Sequence, residues 1–519
     1  MNPPSPDELA RCVAVLEQIE ADRSLLTGLT EELRIALLVA AGKLSRPTRD
    51  DRIRVAKAFR RTKKNAEKTH DREARAATEI RAARRAEVFV APPELVSAHA
   101  VDERPDEARE LKKARGCYVC HAEFRRLHVF YDALCPSCAE LNYRKRFQTA
   151  SLEGRVAIIT GARVKIGFQA ALKMLRAGAR VLVTTRFPRD AAERYSNEPD
   201  FASWRDRLEV HGLDLRHSPS VEIFARYLDA SLGRLDLLIN NAAQTVRRPP
   251  GFYAHLFGRE AEPFASLPAE QQRLLARHEA CKSEIDASSS HELASGPARP
   301  DEAPSGVVTW HGRDPGIGIR APALLSQLAS AYDDERATAH LFPPGKSDAD
   351  RQQVDLRSVN SWRLTLGDVA TSEMLEVQLV NAVAPFILAS KLKPLMVRDR
   401  TGEKHIVNVS AVEGQFGRYT KTDKHPHTNM AKAALNMMTF TSAPDYAADG
   451  IFMNAVDTGW VTDEDPLHHS LRKQDAHDFQ PPLDIVDGAA RICDPFFAGL
   501  LTGDHVWGKF LKNYVPVAW

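Results

Sequence analysis

The sequence predicts an α/β chain built on a doubly wound parallel sheet, with an α-helical region ahead of it, a small four-cysteine module and a long insertion. Three observations point there. From Leu152 onward, short apolar runs alternate with helical stretches, an order that specifies parallel strands covered by helices on both faces. Before about residue 90 the chain has few helix breakers and carries apolar residues at helical spacing. Between these regions stand Cys117, Cys120, Cys135 and Cys138, and 519 residues exceed what a single core usually supports. The expected division is a basic helical region at 1–110, the cysteine module at 111–148 and the sheet domain at 149–519, with an insertion at about 247–362.

In the first region, Leu9, Val13, Leu16 and Ile19, and later Leu33, Ile35, Ala36, Leu38 and Val39, predict a helical pair or small bundle. Between Asp51 and Glu87, 13 Lys or Arg stand against 6 Asp or Glu. A solvated helix with alternating charge accounts for this run, and a surface for an acidic protein partner is the alternative. Nucleic acid is not expected, because only Phe59 offers a ring on which a base could stack. Pro92, Pro93 and Pro105 among acidic residues mark a linker. The whole chain is 43% hydrophobic and 27% charged with a net charge of +2, which excludes a global attraction to nucleic acid or anionic membrane. No stretch approaches 18 uninterrupted apolar residues and the first residues lack a signal-peptide pattern, so a cytoplasmic location without membrane contact is expected.

Cys117-x2-Cys120 and Cys135-x2-Cys138, with 14 residues between the pairs, have the spacing of a zinc ribbon or knuckle. Four thiolates leave no open coordination position, so one structural zinc is expected. His128 and the closing Cys135-Pro136-Ser137-Cys138 look somewhat like half of a RING finger, whose eight ligands are not all present. Arg144-Lys145-Arg146 after the last cysteine reads as a solvated connector or as a contact to a partner or to the sheet domain.

The strands expected next are Val156–Ile159, Val181–Val183, Leu235–Ile239, Ile406–Val409 and Ile451–Val456. Within the insertion, 269–285 and 321–339 read as helices, and a length of this order serves as a lid or partner surface more often than as an idle loop. Thr160-Gly161-Ala162-Arg163-Val164-Lys165-Ile166-Gly167 follows a strand and opens a helix, the context in which a glycine turn lets backbone N–H groups face a pyrophosphate.

This turn resembles the Thr-Gly-x-x-x-Gly-x-Gly element of short-chain dehydrogenases. Asn240-Asn241-Ala242-Ala243 resembles their Asn-Asn-Ala-Gly strand end, and Asp214 matches their acidic residue after the third strand. The resemblance covers about 150–245 and 365–519 and implies a Rossmann-like fold and a bound NAD(P). Arg163 and Arg186 sit where NADP-preferring members carry charge for the 2′-phosphate, which suits guanidinium forks. NADP(H) is therefore the expected cofactor, with NAD(H) as the alternative and a general basic rim including Arg189 as the bland reading. Lys165 stands in place of the middle glycine, where its ammonium would either pair with phosphate or fill the space.

The resemblance also implies a reaction centre of tyrosine, lysine, serine and asparagine. Lys432 matches the lysine and Asn381 the asparagine, but Thr428 occupies the tyrosine's place and Ala411 the serine's. A phenol near pKa ~10 can be tuned toward neutrality, whereas an aliphatic hydroxyl is a far weaker acid. Tyr419, His425 and His427 are candidate replacements, with His427 best placed by sequence, and Ser410 would serve if the strand register slipped by one. Two readings of function follow. One is an NADP(H)-binding protein with an altered or lost catalytic centre, acting as a nucleotide-dependent scaffold or regulator with protein partners at the zinc module, the basic helices or the insertion. The other is an active NADP(H)-dependent oxidoreductase that acts on a small-molecule substrate through His427 or Tyr419. A RING-like ubiquitin-ligase-type adaptor is a lesser third. Members of the resembled family often pair through the helices beside the active site, which implies a homodimer.

Overall fold

Alternation of strand and helix after Leu152 produces an eight-stranded sheet in the computed structural model, which describes residues 4–86, 88–90, 110–294, 314–328, 340–417 and 421–519. The chain divides into two units, Met1–Arg72 and Glu73–Trp519. The first contains α1 (Pro6–Ala21), α2 (Glu31–Ser45) and most of α3 (Arg49–Ala76). Ser5 and Glu8 form a reciprocal capping box at the start of α1, and Thr30 caps α2. The helices form as expected, yet no side chain in α1, α2 or α3 is buried, so the expected pair or bundle has no core. The reason is visible in α2, where Leu33, Ile35, Leu38 and Val39 point around the helix instead of making one stripe.

The second unit opens with α4 (Glu79–Arg85) and continues into the cysteine module. There an antiparallel ribbon of β1 (Glu110–Gly116) and β2 (Glu123–Arg126) precedes α5 (Pro136–Phe147). The predicted linker at 91–107 lies outside the described residues. The sheet follows as β3 (Val156–Thr160), α6 (Lys165–Arg176), β4 (Arg180–Thr185), α7 (Pro188–Ser196), β5 (Leu208–Gly212), α8 (Ser218–Ser231) and β6 (Leu237–Asn240). After the insertion come α13 (Thr371–Gln378), a π-helical turn (Leu379–Val383), α14 (Ala384–Val397), β7 (Lys404–Ser410), α15 (Pro426–Ala448) and β8 (Ile451–Asp457). The chain ends with α16 (Leu467–His477), α17 (Ile485–Thr502), β9 (Phe510–Lys512) and β10 (Val515–Val517). Strand order is β10-β9-β8-β7-β6-β3-β4-β5, parallel throughout except for the β9–β10 pair.

Helices α6, α7 and α17 cover one face through Leu175, Tyr195 and Phe496, and α8, α14 and α15 cover the other through Phe224, Leu392 and Tyr446. Burial on both faces explains why β3, β6 and β7 are buried along their whole length. The run Thr371–Val397 is long and apolar enough to cross a membrane by length and composition, and half of its apolar window is buried within the protein.

The insertion contributes α9 (Pro250–Glu260), α10 (Ala269–Ala294), α11 (Ile317–Arg320) and α12 (Pro322–Leu325). The helix expected at 269–285 is α10, which buries Leu274, Leu275 and Cys281 beside β5. Gly212 N–H donates to His278 Nδ1 at 3.3 Å, so α10 shields the open sheet edge. The helix expected at 321–339 stops at Leu325, and 329–339 lie outside the described residues.

Candidate active site

At the carboxyl ends of the strands, around the β3–β6 crossover where strand order reverses, lies a cavity of about 1240 Å³. Eleven Lys or Arg and six Asp or Glu line it, a balance suited to an anionic ligand. Its floor is the glycine turn. Gly161 has φ +67°, and a Cβ there would lie 2.8 Å from Ala242 Cα. A Cβ on Gly167 would lie 2.4 Å from Asn241 Nδ2 and 2.5 Å from the Gly161 carbonyl oxygen. Asn241 Nδ2 donates to the Thr160 and Gly161 carbonyls at 3.0 and 3.1 Å, and Thr160 Oγ1 accepts from Ala242 N–H at 3.0 Å. The turn is therefore locked in the open form that a pyrophosphate needs, which fits a dinucleotide.

Lys165 keeps the backbone of the glycine it replaces, at φ +56°, a conformation that costs a side-chain-bearing residue roughly 1–2 kcal/mol. Its side chain lines the cavity. Burial raises the Glu464 carboxyl, but Lys165, the Thr462 hydroxyl and Arg248 together hold it below the usual carboxylate range. Burial raises Asp350, and Lys165 opposes that rise. Lys165 thus stands in the cavity wall within electrostatic reach of two carboxylates. Ile166 lines the cavity beside it and packs both into the main core and against the cysteine module.

The expected phosphate-binding cations are unequal. Arg163 is buried and paired with Asp190 at 2.6 Å. Arg186 donates to Tyr253 Oη at 2.6 Å and lies 4.7 Å from that ring's centroid, so the insertion helps to present it at the cavity wall. Arg189 is occupied by Glu260 and is not part of the wall. Asp214 is fully buried; burial raises its carboxyl, yet the bidentate Arg216, as close as 2.7 Å, holds it low.

At the other end of the cavity, Lys432 Nζ donates to the Val409 carbonyl at 2.8 Å. Burial pulls its pKa down to about 8, while Glu413 and Asp457 oppose the shift. Asn381 sits in the π-helical turn, a distortion common at functional sites, and accepts from Gln244 N–H at 2.7 Å through Oδ1. It stands behind the wall and positions Gln244, which lines the cavity.

The replacement acids are sorted differently from the sequence expectation. Thr428 shares a face with Lys432, one turn away, but its hydroxyl is buried without a partner among the described residues and does not reach the cavity. His427 is overturned as the best-placed imidazole, since it is buried between α13 and α15 with Nε2 3.2 Å from Glu373 Oε1. Five residues before Lys432 on a helix is a rotation of about 140°, which carries it to another side. His425, seven residues before Lys432 and so nearly in line with it, lines the wall instead, stacked on Trp362 at 4.0 Å with Nδ1 unpartnered among the described residues. Ser410 keeps the expected register and donates to Asn436 Oδ1 at 2.5 Å, which leaves its hydroxyl engaged. Ala411 lines the cavity in the serine's place. Tyr419 lies outside the described residues.

This architecture agrees with the comparisons. The short chain dehydrogenase family profile matches residues 155–255, and the Enoyl-(Acyl carrier protein) reductase profile matches 360–477. Dehydrogenase/reductase SDR family member 13 of Bos taurus is 40% identical over 140 residues, covering 27% of this chain and 32% of that protein. The chain is a divergent short-chain dehydrogenase/reductase. An uncharacterized protein of Acanthamoeba polyphaga mimivirus is 28% identical over 400 residues, 74% of this chain and 71% of that protein. Retinol dehydrogenase 11 of Mus musculus is 34% identical over 109 residues, covering 20% of this chain and 34% of that protein. The chain spans about a third of the length of the named dehydrogenases it matches. Among solved structures, the Pseudomonas aeruginosa RhlG/NADP active-site complex has a TM-score of 0.39 at 16% identity, with 70% of this chain and 95% of that one covered. A dehydrogenase/reductase from Sinorhizobium meliloti 1021 has a TM-score of 0.40 at 16% identity, with 71% and 96% covered.

Outside those two matched stretches, the chain carries the cysteine module. The four Sγ atoms lie within 4.8 Å of one another, with Cys120 and Cys135 at 3.6 Å, far beyond a disulfide bond. A tetrahedral zinc with bonds of about 2.3 Å would set these separations near 3.8 Å, so the donors fit that ion. His128 is not one of them, because its Nδ1 accepts from Phe130 N–H at 3.0 Å. One four-ligand group is present among the described residues, half of what a RING finger requires. Nor is the basic run after Cys138 a solvated connector. Arg146 is buried against Asp484 at 2.6 Å and Asp487 at 2.9 Å, and Lys145 pairs with Asp494 at 2.5 Å. The module thereby packs onto α17 and shares an apolar cluster with Val461, Leu483 and Ile485.

Proposed function

We propose that this short-chain dehydrogenase relative binds NADP(H) in its cavity and acts as a nucleotide-dependent scaffold or regulator whose proton-transfer centre is altered. The observation that carries the reading is Thr428, whose hydroxyl ends short of the cavity on the helix face that still presents Lys432. The locked glycine turn and Arg186 support dinucleotide binding, and Arg186 favours the 2′-phosphate. Bound NADP(H) would supply or accept a hydride. Lys432, kept mostly cationic at neutral pH by a pKa of about 8, would hold its ribose.

Protein partners would meet the zinc module or the insertion, and the exposed Phe386, Met437 and Phe440 on α14 and α15 suit pairing with a second copy. Fluorescence titration is expected to give saturable binding tighter for NADPH than for NADH. Lys432→Ala should weaken it by at least about tenfold, the loss of a charged hydrogen bond. A panel of carbonyls and alcohols should show no turnover. Brisk turnover that Lys432→Ala abolishes would overturn the scaffold reading, and no saturable signal with either nucleotide would remove the cofactor.

A second reading, an active oxidoreductase with a small-molecule substrate, is favoured by His425 alone. Its imidazole lines the cavity nearly in line with Lys432, and an imidazole titrates where acid–base catalysis needs it. Burial lowers its pKa, against Glu413 and Asn429. Under this reading, turnover is lost in His425→Asn by about 10²-fold or more, while NADPH affinity is kept. Turnover indifferent to that change would exclude His425 as the acid.

A further inference from the structure

We propose that Tyr118 is a ligand-binding residue of the cavity, presented by the cysteine site, so that zinc at the four thiolates and dinucleotide in the cavity strengthen each other's binding. This rests on the NADP(H) reading above. Tyr118 lies between two of the candidate zinc ligands, and Gly116, Cys117, Tyr118, Val119 and His121 all form part of the cavity wall. The wall of a nucleotide cavity and the loop of a metal site are thus one piece of chain.

The loop holds Tyr118 from both sides. Its N–H donates to the Ala133 carbonyl at 2.9 Å, while Cys117 N–H donates to Ala122 and His121 N–H to Cys117. Cys135 N–H donates to Cys117 Sγ at 3.3 Å, which ties the two cysteine pairs together beside it. From there the ring crosses to the segment after β8. Tyr118 Oη accepts from Trp460 N–H at 2.8 Å and would lie 3.3 Å from a Cβ on Gly459. Since Oη is an acceptor in that bond, its own proton is available to an acceptor in the cavity.

Trp460 and Gly459 follow Asp457, which pairs with Ser410 across β7 and β8, next to the Val409 carbonyl that Lys432 holds, so the phenol lies at the Lys432 end of the cavity. The group Tyr118 faces is therefore the nicotinamide end of the dinucleotide, which offers an amide oxygen. The apolar cluster also ties the module to the cavity wall, joining Cys117, Cys135 and Tyr118 to Val461 and to Ile166 of the nucleotide turn. A ribbon of two short strands is marginal by itself, so metal at the thiolates would fix the position of the phenol. Linkage requires the reverse as well, because a ligand that prefers the metal-loaded wall must tighten the metal by the same factor.

The test uses the full zinc-loaded chain, which should hold one zinc per chain, with NADPH and 2′-phospho-ADP-ribose as probes. The second probe lacks nicotinamide. Tyr118→Phe keeps the ring and is expected to raise the Kd for NADPH about threefold to tenfold while leaving 2′-phospho-ADP-ribose unchanged. Chelation should raise the NADPH Kd at least about fivefold, and saturating NADPH should tighten zinc by the same factor in a competition titration. Wild-type NADPH affinity in Tyr118→Phe, equal weakening of both probes, or zinc affinity indifferent to NADPH would overturn the proposal. Failure of the wild-type chain to bind either probe would instead overturn the NADP(H) reading, and this inference with it.

Discussion

Arg146→Ala is expected to destabilise the chain by about 3–5 kcal/mol, the cost of leaving buried charge without its partner. Arg146 is 3% exposed, donates to both oxygens of Asp484 at 2.6 and 3.0 Å and lies 2.9 Å from Asp487. Asp484 also caps α17 by accepting from Val486 and Asp487 N–H, and Asp487 accepts from Tyr131 Oη at 2.5 Å. One guanidinium therefore neutralises two carboxylates that hold the cysteine module to the sheet domain. Burial raises Asp487, with Arg146 opposing, so removing the arginine should push that carboxyl further up. A carboxyl raised in the folded state destabilises it above its unfolded pKa and ceases to do so below. The deficit of Arg146→Ala should thus shrink as pH falls from 7 toward 5. Urea unfolding at the two pH values measures this, and a loss under 1 kcal/mol at pH 7 would show that the ionic cluster does not hold the module.

Arg146 also shows what was legible in the sequence. Local order was readable because it depends on near neighbours: the turn from Thr160 to Gly167 and the paired cysteines appear as expected, and the strands expected at Val156–Ile159, Leu235–Ile239 and Ile406–Val409 form with bounds shifted by no more than about two residues. Contacts between distant segments were not. Nothing near Arg146 announces Asp484, 338 residues away, and Tyr118 reads as filler between two cysteines until its Trp460 partner, 342 residues on, is in place. The exchange of His427 for His425 has a more local cause, since helix phase alone separates them. Pro426 at the first position of α15 marks His425 as its cap, and that signal was available. The N-terminal helices show the opposite limit, because apolar spacing predicted helices correctly but did not determine what they bury.

Gly167→Ala should abolish saturable NADPH binding, raising Kd by two orders of magnitude or more, and cost about 1–3 kcal/mol as overpacking. The added methyl would stand 2.4 Å from Asn241 Nδ2 and 2.5 Å from the Gly161 carbonyl, so one of them must move. Either displacement breaks the bonds from Asn241 Nδ2 to Thr160 and Gly161 that hold the turn open. The first turn of α6 would then withdraw from the pyrophosphate it is meant to face. Gly154→Ala is the control. Gly154 has φ +73° with nothing within 4 Å of an added Cβ, so alanine there brings backbone strain of about 1 kcal/mol without touching the cavity. Comparable losses of stability with loss of NADPH binding confined to Gly167→Ala would tie the nucleotide to this turn. Unchanged NADPH affinity in Gly167→Ala would place the nucleotide elsewhere, because a phosphate seated on those N–H groups cannot tolerate the shift that the methyl requires.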